Sequence, residues 1–380
     1  MSTYLDHNAS APLLPYAREA IVSALALAGN PSSVHGQGRV LRKLIDDARD
    51  DVATLAGAEA KQVVFTGSAT EALTQAIVGG VRTFGINRIV VCATDHAAAL
   101  KAAEVSGASV RVLGVDEDGL IDLDALARII ETANLAGEKL LVAFSWVNNE
   151  TGVIQPRERI EAMVGPTPHF LVIDAVQAFG KLALDFAASA ADMMAISAHK
   201  IGGPSGVGAL LVKGHCDSVR LIPGGGQEQG RRGGTEPAAL IGGFGAACRA
   251  NADAFNLDRT RALMVDFEAR LTDMAPDAAI FGQGAERIGT VCNFAVPGIR
   301  NTVAMMALDL AGVAVSSGSA CSSGKVGRSH VLSAMGIEAN LSECGLRVSL
   351  GWNSQREDID AFFAAFEPVL NRHRRSGAAA

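Results

Sequence analysis

A lysine closes the apolar run Met193-Met194-Ala195-Ile196 and is followed at once by glycines, in the stretch Ser197-Ala198-His199-Lys200-Ile201-Gly202-Gly203-Pro204. A charged ammonium is costly to bury without a partner. Lys200 is therefore either a strand-end side chain with its head in solvent or a working group, and this stretch alone divides evenly between the two. One strand earlier, Asp174 ends the run Phe170-Leu171-Val172-Ile173, and Gln177 follows three residues later. Asp174 alone reads equally well as a helix cap. As a pair, the lysine and the aspartate match the needs of pyridoxal phosphate, which takes a lysine as its covalent anchor. An acid must also keep its pyridine nitrogen protonated so that the ring can act as an electron sink.

Other residues could complete such a site. Gly67-Ser68-Ala69-Thr70 lies between a predicted strand and a predicted helix, where backbone N–H groups and the helix dipole favour an anion. An ordinary capped helix has the same signature, with Ser68 as cap and Glu71 three residues on. His96, in Thr94-Asp95-His96, could stack on a cofactor ring or be an ordinary polar histidine. Cys321 sits among small residues from Ser316 to Lys325. A loop of that kind buries little, which suits a thiol that must travel, although a spare surface cysteine is the plain alternative. Arg347 lies in Leu346-Arg347-Val348-Ser349-Leu350, and alternation gives it equal odds of facing inward or outward. If inward, it requires a carboxylate in a two-pronged pair.

The elements that position these residues alternate strand and helix. Apolar runs at 63–66, 88–92, 109–113, 140–145, 170–174 and 193–196 read as strands, with helices between most of them. Strands apolar throughout predict a largely parallel sheet covered on both faces, the α/β class. Ligands in such sheets bind beyond the carboxyl ends of the strands, where Thr70, His96, Asn149, Asp174, Gln177 and Lys200 collect. A long helical stretch, 238–273 with a break near Asn256, leads to short strands at 291–296, 313–316 and 346–350 with their own helices. We expect a large domain over 15–255 and a small α/β domain built from 1–14 and 256–380.

Composition narrows the class. With 380 residues, 49% hydrophobic and 19% charged, the chain can bury a large core. A net charge of -7 argues against nucleic acid as a partner, and the basic cluster Arg372-His373-Arg374-Arg375 suits the end of a helix. No leader pattern and no membrane-length apolar run occur, so a cytoplasmic protein is expected. The 6 cysteines form no C-x-x-C pair and no metal spacing, so no metal is expected. Nucleotide loops are absent too. Gly318 to Lys325 is one residue too long for a P-loop, and Val326 replaces the magnesium-binding hydroxyl.

Taken together, the ordered segments resemble the cysteine desulfurases of the class V aminotransferase group, the nitrogen-fixation and iron-sulfur-cluster type with a long catalytic-cysteine loop. The matching segments are Tyr4-Leu5-Asp6, Gly29-Asn30-Pro31-Ser32-Ser33, Phe65 to Glu71, Val147-Asn148-Asn149-Glu150-Thr151-Gly152, Asp174-Ala175-Val176-Gln177, Ser197 to Lys200, Arg232-Gly233-Gly234-Thr235, Ser316 to Cys321 and Arg347 to Gly351. The resemblance implies the fold-type I architecture of pyridoxal-phosphate transferases, with a mostly parallel seven-stranded sheet, and a homodimer. It implies that Lys200 bonds the cofactor and then moves the substrate Cα proton, and that Asp174 pairs with the ring nitrogen. Gln177 and Asn149 would lie near the ring oxygen, with His96 stacked on the ring. Ala69, Thr70, Ser197 and His199 would hold the phosphate, helped by Thr235 from the other subunit. Arg347 with Asn149 would hold the carboxylate of L-cysteine. Cys321 would take its sulfur as a persulfide, releasing L-alanine and later serving a sulfur-acceptor protein.

Departures bear on partners. Gln227 stands where relatives often carry histidine, Ser205 where they often carry lysine, and only a few small residues follow Arg375. The tail that some members use to dock a cluster scaffold is thus expected to be missing. Two other readings share the pocket: a selenocysteine lyase or other β-eliminating enzyme, and a non-catalytic interaction protein.

Overall fold

The computed structural model describes residues 3–318 and 328–377. Cys321, with the P-loop-like run around it, lies outside the described residues. Among the described residues twelve strands occur: β1 Thr3–Tyr4, β2 Val63–Thr66, β3 Arg88–Cys92, β4 Ser109–Leu113, β5 Leu140–Ser145, β6 Phe170–Asp174, β7 Met193–Ser197, β8 Gly208–Val212, β9 Ala279–Ile280, β10 Val291–Ala295, β11 Val313–Ala314 and β12 Gly345–Ser349. Seven of them form the central sheet in the order β2-β8-β7-β6-β5-β3-β4. Pairing is parallel from β4 through β3, β5 and β6 to β7, and antiparallel where β8 meets β7 and β2. Only β8 therefore runs against the rest.

The inner strands of the sheet are largely apolar because each of their two faces meets its own core, whereas the edge strand β4 is exposed from Ser109 to Val112. In β5, Leu140, Val142 and Phe144 enter one cluster, while Leu141 and Ala143 enter the other. In β7, Met194 and Ile196 divide from Met193 and Ala195 in the same way. Each fully buried large aliphatic side chain contributes roughly 1.5–3 kcal/mol, so the double-sided core dominates folding of this unit.

Helix boundaries follow their caps. The helix Gly36–Ala56 ends at Gly57, whose φ of 56° places it in the left-handed region that favours glycine. Ser68 Oγ accepts the Glu71 N–H at 3.2 Å, as the cap pattern predicts, but the Glu71 carboxylate reaches back to Gly67 N instead of completing the box at Ser68. The expected single helix to Phe84 is interrupted by a wider, π-type turn over Gln75–Gly79. The long stretch after 237 divides into Ala238–Ala254 and Leu257–Met274, with Asn256 Oδ1 capping the second through Arg259 N. A helix at Arg157–Val164 and the short strands β1 and β9 had no clear sequence signal.

A second sheet, in the order β12-β10-β9, is antiparallel. It packs against a phenylalanine-rich core in which Phe267, Phe294, Phe362 and Phe366 stack or meet edge to face. The chain's opening ties this part to the central sheet. β1 pairs with β11, Asp6 bridges to Ser349, and the next residues run past the carboxyl end of β7. That path brings Asn8 and Ala9 to Lys200.

Candidate active site

Beyond the carboxyl ends of the strands lies a cavity of about 350 Å³. Its wall includes Ala69, Thr70, His96, Asn149, Asp174, Gln177, Ser197, His199 and Lys200, gathered from the ends of β2, β3, β5, β6 and β7. Nine of the residues singled out from sequence thus share one pocket. Thr235 does not; it is exposed in an irregular segment before the helix Ala238–Ala254 and does not line this cavity. Arg347 is 1% exposed and stands behind the wall, facing inward.

Lys200 closes the short turn after β7. Its Nζ donates to the backbone oxygens of Asn8 at 2.6 Å and Ala9 at 2.8 Å, which answers the cost of its partial burial. Asp174 Oδ1 accepts Val176 N–H at 3.0 Å. Burial raises the carboxyl above its ordinary range, while that N–H, His96 and Lys200 each favour the charged form. His96 begins the helix Ala97–Val105, and its Nδ1 accepts Ala98 N–H at 3.1 Å. That bond leaves Nε2 as the proton-bearing nitrogen of a neutral ring. Burial lowers its pKa, against the pull of Asp174. His199, near Ser10 Oγ at 3.3 Å, is lowered to about 4 by burial and by Lys200.

The opposite wall is the start of the helix Ala69–Thr74. It approaches β8 closely: a Cβ on Gly208 would lie 2.9 Å from Ala69 N and from Ser68 C. Only glycine lets the helix start sit there. Free N–H groups at that start, the Thr70 and Ser197 hydroxyls, an acid across the cavity and a lysine between them form a donor set that fits pyridoxal phosphate.

Sequence reasoning missed several parts of this site. Asn8 is central, since its carbonyl also takes Gln177 Nε2 at 3.1 Å and its amide donates to Asn149 O at 3.0 Å. Arg347 Nη1 reaches the same Asn149 oxygen at 3.2 Å, and Nη2 reaches Asp6 at 2.7 Å. Arg347 Nε is buried without a partner. Asp95, pushed up to about 7 by burial, accepts from Cys92 N and Ser145 N and so binds the ends of β3 and β5. Glu150, also pushed up to about 7, takes Ser329 Oγ–H at 2.6 Å. Polar residues inside Thr94-Asp95-His96 and Asn148-Asn149-Glu150 were the available signal.

Among the described residues one group of three possible metal ligands comes together, Asp192, His215 and Cys216, at the start of β7. It lies at the opposite end of the strand from Lys200. His215 Nε2 and Leu171 N–H already engage the two Asp192 oxygens, each at 2.6 Å.

This architecture, a mostly parallel seven-stranded sheet with a strand-end lysine and aspartate at its ligand edge, is that of fold-type I pyridoxal-phosphate enzymes. The chain belongs to the family described as Aminotransferase class-V, whose model matches residues 3–362. It is similar to "IscS-like cysteine desulfurase" of Mycobacterium tuberculosis, 34% identical over 99% of this chain and 98% of that one. "Cysteine desulfurase" of Cereibacter sphaeroides is 35% identical over 98% of this chain and 96% of its own. Among solved structures, a NifS-like protein from Rickettsia africae superposes with a TM-score of 0.88 at 29% identity, covering 98% of this chain and all of that one.

Proposed function

We propose that this chain is a pyridoxal-phosphate-dependent cysteine desulfurase that converts L-cysteine to L-alanine and holds the sulfur as a persulfide on Cys321. The observation that carries the reading is the single cavity joining Lys200, Asp174, His96 and the helix start at Ala69, in a chain whose relatives are cysteine desulfurases along nearly its whole length. When bound, the cofactor supplies an electron sink for the substrate's Cα. The remaining work falls to the chain's own groups.

Lys200 would anchor the cofactor and would also be the base that moves the substrate's Cα proton. Asp174 holds the proton on the ring nitrogen. His96 offers a ring face and an Nε2–H to the pocket, and Gln177 an amide N–H. Ala69, Thr70, Ser197 and His199 would hold the phosphate, with Thr235 supplied by a second subunit. Arg347 has one unpartnered donor, Nε, for the substrate carboxylate. The nucleophile must be a thiol that can become a thiolate. Burial raises Cys92 and Cys216 to about 12 and Cys248 and Cys292 well above the ordinary value, which leaves these four unsuited to it. Attack by the Cys321 thiolate forms the S–S bond and breaks the substrate Cβ–S bond. The electron pair returns to the substrate skeleton, and protonation at Cβ and then at Cα gives alanine.

A homodimer accords with Thr235 standing away from its own pocket and with exposed Tyr16, Val22 and Leu25 on the first helix. Five buried, unpaired cysteines suit a reducing compartment such as the cytoplasm. The sulfur would pass to an acceptor protein. The deciding experiment is mass spectrometry of purified protein after brief exposure to L-cysteine. One added sulfur atom on the peptide carrying Cys321, reversed by a thiol reductant, supports the reading. Alanine release with no added sulfur there, or colourless protein that takes up no cofactor, overturns it.

A further inference from the structure

One charged side chain close to the site has no part in the chemistry above. Lys181 lies one turn beyond Gln177, in the looped segment after β6 where Lys181 N and Leu182 N both bond Ala178 O. The i, i+4 spacing puts its ammonium beside the Gln177 amide, and Nζ donates to Gln177 Oε1 at 2.9 Å. A protonated lysine can only donate, so the amide oxygen faces it and the amide nitrogen faces away. That nitrogen, Gln177 Nε2, donates to Asn8 O, the same oxygen that takes Lys200 Nζ. Lys181 and Lys200 are thus joined by one hydrogen-bonded path, Lys181–Gln177–Asn8 O–Lys200.

The two lysines also share space. Both line a second, narrow cavity of about 20 Å³, behind the active-site wall, with His7, Asn251 and Trp352. Such a volume holds about one water molecule. The groups facing Lys181 from the packed elements carry no compensating negative charge: His7 comes from the opening segment, Lys200 from the turn after β7, Arg347 from β12, and Asn251 from the helix Ala238–Ala254. Asp6, the nearest carboxylate in the opening segment, is engaged with Arg347, and Asp174 faces His96 and Lys200. Burial beside Lys200 and Arg347 lowers Lys181 to about 7. Burial and Lys181 in turn lower His7 to about 4, so that histidine stays neutral.

We infer that Lys181 is a positioning residue for the cofactor lysine: it fixes Gln177 with its amide nitrogen on Asn8 O and, in its protonated form, sets a second positive charge behind Lys200. The first action orients a donor toward the Asn8 oxygen that also takes Lys200. The second disfavours a proton on the Lys200 nitrogen, since a like charge destabilises the charged form of its neighbour. A nitrogen depressed in this way is the form able to accept the substrate's Cα proton. The inference rests on the proposal that Lys200 carries pyridoxal phosphate.

The test is a spectrophotometric pH titration of the visible band of the Lys200–cofactor linkage, in the cofactor-loaded enzyme without substrate. Lys181→Met keeps the length of the side chain and removes the charge. It should raise the apparent pKa of the linkage by about one unit. Lys181→Arg keeps a permanent charge and should leave that pKa unchanged or lower it. Thermal melts of both variants report any loss of fold separately. A pKa that does not move in Lys181→Met, or that moves the same way in both variants, overturns the inference while leaving the cofactor assignment intact. Parent protein with no visible band after addition of the cofactor overturns the assignment itself, and the inference with it.

Discussion

Arg347 Nη2 donates to Asp6 Oδ1 at 2.7 Å, joining residues 341 positions apart. This ion pair fixes the opening segment across the site, and with it the Asn8 carbonyl that takes Lys200. The arginine is 1% exposed, so it depends on these partners: removing one side of a buried pair costs about 3–5 kcal/mol. Asp6→Ala should therefore lower the melting temperature and weaken cofactor retention together, read by differential scanning fluorimetry and by cofactor absorbance after gel filtration. Loss of stability with full cofactor retention would separate Asp6 from the positioning of Asn8.

Arg347→Lys tests substrate binding. A guanidinium can serve Asp6, Asn149 O and a substrate carboxylate at once because its five donors are spread in a plane, whereas an ammonium has three on one atom. Loss of one charge-assisted hydrogen bond is worth about 1.5–3 kcal/mol. The KM for cysteine should rise by roughly one to two orders of magnitude, with a smaller change in kcat. An unchanged KM would remove Arg347 from substrate binding.

Glu150 gives a pH prediction. Burial lifts its carboxyl from 4.5 to about 7, so the folded state binds its proton more tightly than the unfolded state does. Its contribution to stability is therefore fully present below about 4.5 and is lost as pH rises through about 7. Glu150→Gln retains an acceptor for Ser329 Oγ and has no charge to bury. The melting temperature of the variant should match that of the parent below about pH 4.5 and exceed it increasingly up to about pH 7. Thermal melts across that range, with a constant gap between the two proteins, would contradict the assignment.

Much of this arrangement was legible in the sequence, for physical reasons that differ between its parts. β3, β5 and β6 could be bounded because each is buried on both faces, and an apolar run ended by a polar residue marks the ligand edge. The same double burial hid the orientation of Arg347: all five residues of β12 are buried, so alternation carries no information about its face. Asn8 acts through its backbone oxygen, which leaves no trace in residue type. The Gln177–Lys181 contact was in principle readable from its spacing, but only a known turn after β6 makes i, i+4 neighbours there. The interruption at Gln75–Gly79 sits where packing is tight, since a Cβ at Gly79 would meet Arg220 O at 2.8 Å, a contact that residue type alone does not announce.

Gly208 tests the wall opposite Lys200. A Cβ there would meet Ile196 O at 2.8 Å and Ala69 N at 2.9 Å, both backbone atoms that cannot rotate away. Gly208→Ala must push β8 from β7 or lift the helix start. Overpacking of this kind costs about 1–3 kcal/mol. Because Ala69 N–H belongs to the proposed phosphate end, the cofactor should dissociate more readily than from the parent, measured by dialysis against a carrier protein. Equal retention would argue that the helix start does not hold phosphate.

Asp174→Asn isolates the acid from the fold. An asparagine side-chain oxygen can still accept Val176 N–H, the bond that seats Asp174 at the end of β6, so the variant should fold and bind cofactor. What it loses is the negative charge that favours a proton on the cofactor ring and on His96. Cysteine turnover should fall by about 10² or more, the scale of a lost acid-base partner, with cofactor binding reduced far less. Asp174→Glu restores the charge and should recover part of the rate. If the asparagine variant turns over at the parental rate, Asp174 is the plain helix cap that its position in sequence also allowed.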